Sequence, residues 1–144
     1  MKEITYSKDQ VIFRQGDYAQ NMFDIISGKI GIYRDYGTEK EKRIAELEAG
    51  EVFGEMGMIE YCPRSATAVV LSDSAVLQEL AESDLNEYFK DKPEKLLQLM
   101  RLLSRRIRET TQKYVDVCRT VSEGRTAQKK LNDYASFFST IWLK

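Results

Sequence analysis

The stretch EVFGEMGMIEYCPRSATAVV, residues 51–70, sets a carboxylate directly after a glycine and a lone arginine between a proline and a row of small residues. A backbone that wraps a phosphate needs glycine where it approaches closely, N–H groups turned inward and one strong cation. Gly54 permits the turn, and EMGMIE can form one helical turn with its N-terminal amides toward an anion. Arg64 supplies the charge, and its planar fork suits two phosphate oxygens. Ser65 and Ala66 keep the wall low, so that their amides or the Ser65 hydroxyl reach a ligand. Glu55 is out of place beside a phosphate unless it accepts a hydrogen bond from a sugar hydroxyl. A phosphate, a ribose hydroxyl and a compact pocket together point to a nucleotide whose phosphate is folded against its sugar.

The elements that must position these residues are short strands. VIFRQGD reads as a strand into a turn at Gly16-Asp17, and MFDIISGKIGIYR as two strands joined at Ser27-Gly28, with Ile30 and Ile32 on one face. DYGTEKEK is a polar hairpin tip, and RIAELEAGEVF is a strand, a turn at Gly50 and a second short strand. ATAVVL and AVLQELA, divided by Ser72-Asp73-Ser74, form another pair. Gly16, Gly28 and Gly50 thus serve turns rather than ligand. Strands at this spacing predict a mainly β fold, a sandwich, barrel or roll.

From Ser83 the period changes. SDLNEYFKDK opens with Ser83 as a helix cap and reads as a short helix. Residues 93–123 then run from Pro93 without an internal proline or glycine, and proline suits a first helical turn. Leu96, Leu99, Leu103, Ile107, Thr110, Tyr114, Val117 and Val121 fall on one stripe at helical spacing. A helix of this length is long for so small a body. Twofold pairing in a homodimer is the simplest way to cover the stripe, the alternative being a helix that lies wholly on its own domain. After Gly124 a second, shorter helix carries Leu131, Tyr134, Phe138, Ile141 and Trp142 on one side. The expected division is a domain over residues 1–123 and a helical extension over 124–144.

Composition narrows the classes of function. The chain has 144 residues, 42% hydrophobic and 31% charged, as in an ordinary globular protein. It has no histidine, which removes a Ser-His-Asp triad, a Cys-His pair and most zinc or haem sites. No paired carboxylates are placed for acid–base work, so no enzyme is expected. Cys62 and Cys118 stand far apart and read as free thiols. The N-terminus lacks an apolar signal core and no apolar run reaches membrane-helix length, which points to the cytoplasm. Residues 1–100 hold 12 basic and 19 acidic side chains, whereas residues 101–144 hold 10 and 4. The basic end reads as a solvated helix surface or a contact for a partner.

FGEMGMIEYCPRSATAVV closely resembles the phosphate-binding cassette of cyclic nucleotide-binding domains, whose pattern is F-G-E followed by P-R-(small)-A-T. The resemblance runs over roughly residues 5–118 and takes in FRQGDYAQNMFDIISGKIGIY and LEAGEVFGE. It implies a double-stranded, jelly-roll-like β-roll with flanking helices and a long C-terminal dimerisation helix. It also implies that Glu55 binds the ribose 2′-hydroxyl. Arg64 would pair with the cyclic phosphate, helped by the Gly54 turn, by Ser65 and by the amides of Met56, Gly57 and Ala66. SRRIRETTQKY is similar to the central helix of the catabolite activator (Crp/Fnr-like) branch, where a Thr-Ser pair touches adenine from the two subunits. Here that pair is Thr110-Thr111, two hydroxyls interrupting an apolar stripe, and the same alignment places Arg106 where it could pair with Glu55.

The resemblance implies a non-enzymatic regulatory module. Its ligand would be cAMP ahead of cGMP, and binding would reorient the long helix of a homodimer. No other cofactor and no metal is expected. A winged helix-turn-helix needs about 60 residues. Only 26 follow Cys118, residues 119–144, so DNA reading by these residues alone is not expected. Two alternatives stand beside this reading. One is a DNA-binding regulator of the catabolite activator type with a lost or truncated output domain. The other is a dimerisation protein that binds no nucleotide.

Overall fold

A computed structural model describes residues 1–122 and 131–137. Residues 1–91 form one compact unit and the described residues from Lys92 onward a second.

The first unit is a β-roll. Its strands are β1 (Lys2–Ser7), β2 (Val11–Phe13), β3 (Asn21–Ser27), β4 (Lys29–Arg34), β5 (Lys42–Glu48), β6 (Val52–Phe53), β7 (Thr67–Val70) and β8 (Ser74–Ala81). They make two four-stranded antiparallel sheets, ordered β1-β8-β3-β6 and β2-β7-β4-β5. Both sheets contribute to the core. Ile30 and Ile32 share a buried face of β4, β7 is buried along its whole length, and Phe23, Ile25, Ala75 and Leu77 are buried from the other sheet. A strand buried on both faces reads as a near-continuous apolar run, as Ala68, Val69 and Val70 do, while the hydroxyl of Thr67 at its start accepts from the Gln15 N–H at 3.0 Å.

The sequence pattern did not mark β1. KEITYS is mostly exposed, with only Ile4 and Tyr6 half-buried, so it lacks the apolar signal of an inner strand. Its place comes from pairing residue by residue with β8, from Lys2 opposite Glu79 to Ser7 opposite Ser74. The remaining hairpins and turns fall where expected.

Between β6 and β7 lies α1 (Glu55–Glu60), and after β8 a 3-10 turn (Glu82–Asp84) leads into α2 (Leu85–Asp91). The cap of that segment is not Ser83. Asp84 accepts from the Ala81 backbone N–H at 2.9 Å and also pairs with the N-terminal amine of Met1 at 2.9 Å. These contacts, the amine first, hold its carboxyl below the ordinary aspartate value. Met22, Met58, Leu80 and Tyr88 form one buried cluster, so a β3 residue, an α1 residue and an α2 residue share a core. Within it the Tyr88 hydroxyl donates to Asp24 Oδ2 at 2.6 Å, both residues 1% exposed. A buried carboxylate of this kind persists only with donors aimed at it.

The second unit contains α3 (Pro93–Ser122), 30 residues long and so about 45 Å from end to end. The apolar stripe on it differs from the expected one at a single place: Leu99 is buried, whereas Met100 is 59% exposed. With Met100 in place of Leu99, the stripe reads Leu96, Met100, Leu103, Ile107, Thr110, Tyr114, Val117 and Val121, in alternating steps of four and three. That is a heptad period rather than a plain 3.6-residue one. Residues 131–137 are helical. Lys113 Nζ lies 2.7 Å from the centre of the Phe137 ring and 5.8 Å from that of Tyr134. Gly124, Phe138, Ile141 and Trp142 lie outside the described residues. Cys62 and Cys118 are free thiols. Among the described residues no helix is long and apolar enough to cross a membrane.

Candidate ligand-binding cassette

Arg64 is the centre of the cassette. Its backbone is fixed first: the Arg64 N–H donates to Asp17 O at 2.7 Å, and the Gly16 N–H donates to Arg64 O at 2.7 Å. Tyr18 and Pro63 form a bridge beside them, so the turn after β2 holds the entry to β7 in register. The side chain then runs inward and is 5% exposed. Nη1 donates to Gly54 O at 2.5 Å, and Nη2 donates to Asn21 O at 2.6 Å and Asn21 Oδ1 at 2.7 Å.

The guanidinium lies on aromatic rings. Its carbon is 4.2 Å from the centre of Phe13 and 5.9 Å from that of Phe23. Phe13, Phe23 and Phe53 form a mutual cluster with centroid separations of 5.3 to 6.0 Å. Arginine stacks on such faces because its guanidinium is planar and weakly hydrated, which lysine's ammonium is not. Burial pushes the Arg64 pKa below its ordinary value. Glu55, Asp17 and Cys62 act in the opposite direction through their charges.

Glu55 is 1% exposed and opens the first turn of α1, directly after Gly54. Gly54 has φ 78°, the left-handed conformation that the sharp entry into α1 requires. Gly57 is demanded by close approach instead: a Cβ there would lie 2.5 Å from the Ala19 Cβ. Met56 is half-buried, Ser65 half-buried and Ala66 buried, so the short helix and the start of β7 enclose the arginine with small or flexible side chains.

Gly54, Glu55, Met56, Gly57, Arg64, Ser65 and Ala66 are therefore gathered within the first unit on α1 and its flanks. Arg106, Thr110 and Thr111 lie on α3, in the second unit, with Thr110 on the heptad seam and Thr111 beside it. Asn21, Glu79 and Phe13 were not legible from the sequence. Phe13 reads as an ordinary strand residue and Asn21 as the polar end of another, and only the fold brings them to Arg64.

Residues 3–92 match the family described as Cyclic nucleotide-binding domain. Among curated relatives, the CRP-like cAMP-activated global transcriptional regulator of Mycobacterium tuberculosis is 27% identical over 140 residues, covering 97% of this chain and 62% of that protein. Among solved structures, the catabolite activator protein of Thermus thermophilus matches with TM-score 0.66 and 33% identity, over 78% of this chain and 53% of that one. The cGMP-bound form of the EAL enzyme Bd1971 matches with TM-score 0.56 and 31% identity, over 85% of this chain and 32% of that one. The chain thus spans less than two-thirds of the length of each of these proteins. With the family match, the jelly-roll architecture and the buried glycine–acid–arginine cassette in agreement, the chain belongs to the cyclic nucleotide-binding domain family.

Proposed function

We propose that the cassette binds a cyclic nucleotide, cAMP first and cGMP second, and that the chain works as a cytoplasmic, non-enzymatic regulatory module. The observation that carries this is Arg64, a buried cation held among Gly54, Asn21 and Phe13 beside the buried acid Glu55. One cation set against one acid suits a ligand that brings a single negative charge to Arg64 and a hydroxyl to Glu55. A cyclic phosphodiester on a ribose meets both needs, and a dianionic phosphate monoester meets the first poorly. Ser65 and the amides of Met56, Gly57 and Ala66 complete the phosphate side. Arg106, Thr110 and Thr111 serve the acid and base side from α3.

The base preference for cAMP rests on the names of the catabolite-activator relatives. Bd1971 was solved with cGMP and with cAMP, so this architecture accommodates either purine in that protein. The heptad stripe of α3, on which Leu96, Met100, Ile107, Tyr114 and Val121 are exposed, supports a homodimer through that helix. Ligand would then act by binding one arrangement of the helix pair more tightly than another.

A second reading follows from the same relatives, which are transcriptional regulators: the output of such a module is DNA binding. A gel shift with this chain at low and moderate salt tests it. The experiment for the main reading is thermal unfolding with saturating cAMP, cGMP and 5′-AMP. A ligand at about 100 times its Kd adds about 2.7 kcal/mol, which raises Tm by several degrees. A shift with a cyclic nucleotide and none with 5′-AMP is the expected result. No shift with any of them would leave a nucleotide-independent dimerisation protein.

A further inference from the structure

We infer that Asn21 and Glu79 form a relay that orients Arg64 for the ligand phosphate, making Asn21 a positioning residue of the cassette. The inference rests on the cyclic-nucleotide reading above and extends it to residues outside the motif.

The geometry is specific. Asn21 and Phe23 are two apart on β3 and so point to one face, and both meet the Arg64 guanidinium. Phe23 pairs with Glu79 across the β3–β8 ladder, which puts Glu79 diagonal to Asn21. The Asn21 side-chain amide donates to Glu79 Oε1, while the Asn21 side-chain oxygen accepts from Arg64.

The chemistry explains why two residues are needed. A carboxamide is nearly symmetric in shape, and turned over it would set its NH2 group against the guanidinium, donor against donor. An ionised carboxylate only accepts, so Glu79 holds the amide end and leaves the oxygen for Arg64. A guanidinium has five N–H donors. Gly54 O, Asn21 O and Asn21 Oδ1 take three of them, and the fork cannot turn while it is held at three points. The Nε N–H and one N–H of Nη1 are left, on different edges of the guanidinium plane. An anion that meets either of them does not have to order the arginine itself, and that saving in ordering appears as affinity.

The test is calorimetric titration of the 144-residue chain with cAMP and cGMP. The chains compared are wild type, Asn21→Ala, Arg64→Lys, the double variant, Glu79→Gln and Glu79→Leu, each with its unliganded melting curve. Asn21→Ala is expected to weaken binding about tenfold, the scale of one hydrogen bond to a charged group. In the Arg64→Lys background it should cost nothing further, because lysine has no fork to orient. Glu79→Gln should bind like wild type, since the glutamine oxygen still accepts from Asn21. Glu79→Leu should weaken binding in the same direction as Asn21→Ala. Wild-type affinity in Asn21→Ala, or the same loss in both backgrounds, would overturn the relay while leaving the cassette intact. No binding by the wild type would remove the cyclic-nucleotide reading itself. Should Asn21→Ala fail to fold, the two Glu79 variants decide the matter, and equal affinity in both would overturn the proposal.

Discussion

The Arg64 guanidinium stands where a side chain on Gly54 would be: Nη1 donates to Gly54 O at 2.5 Å, and a Cβ on Gly54 would lie 2.7 Å from that same nitrogen. The glycine therefore answers two demands at once, the left-handed turn into α1 and the room for the cation. Neither demand alone would exclude every other residue, since asparagine tolerates the conformation. Both together leave glycine.

Gly54→Ala is accordingly expected to lose about 1–2 kcal/mol through backbone conformation alone. It also displaces Arg64 from its carbonyl partner. Thermal unfolding should show a Tm lower by several degrees, with cyclic nucleotide binding weakened in the same variant.

Arg64→Lys keeps the charge and discards the fork and the stacking on Phe13. Binding of cAMP should fall by about 10- to 100-fold, the scale of losing one or two hydrogen bonds to a charged group. Isothermal titration reads this directly. Undiminished affinity would show that the phosphate is held elsewhere.

Tyr88→Phe removes the hydroxyl that donates to the buried Asp24 carboxylate. A loss of about 1–3 kcal/mol in unfolding free energy is expected from urea titration. The ring itself stays in the cluster with Met22, Met58 and Leu80, so the packing between α1 and α2 persists.

Ile107 is 58% exposed and sits on the heptad stripe. Ile107→Asp should convert a dimer to a monomer in light scattering after size exclusion, with the roll still folded by circular dichroism. Two carboxylates facing one another across a seam cost more than the contact they replace. A mass unchanged by the substitution would remove the helix as the dimer interface.

Thr110→Val preserves shape and removes one hydroxyl. A loss of about fivefold in cAMP affinity is expected, the scale of a single neutral hydrogen bond. Loss confined to cAMP, with cGMP unaffected, would place Thr110 at the base rather than at the helix seam.

Much of this protein was legible in order of sequence. Local rules set the hairpin turns, the alternation of Ile30 and Ile32, the span of α3 from Pro93 and the cassette from Gly54 to Ala66. These depend on neighbours a few residues apart, where side-chain period and backbone freedom decide the outcome. The edge strand β1 was not legible, because a solvent-facing strand carries no apolar signal and its formation is decided by the open edge of β8. The helix cap falls at Ala81 rather than Ser83, with Asp84 accepting from the Ala81 backbone N–H and also meeting the amine of Met1, far away in sequence. On α3, Leu99 and Met100 are equally apolar neighbours, and only their exposure shows which of them belongs to the stripe.

The sequence by itself determined that an arginine and an acid would share a glycine-bounded turn, since their spacing along one short helix and one strand start leaves them no other place. It could not determine what holds the arginine. Asn21 is 43 residues from Arg64, and Glu79 is 58 from Asn21. No local period links residues so far apart. Their meeting is decided by the order of strands in two sheets, through which the folded roll surrounds a buried charge with the acceptors it needs.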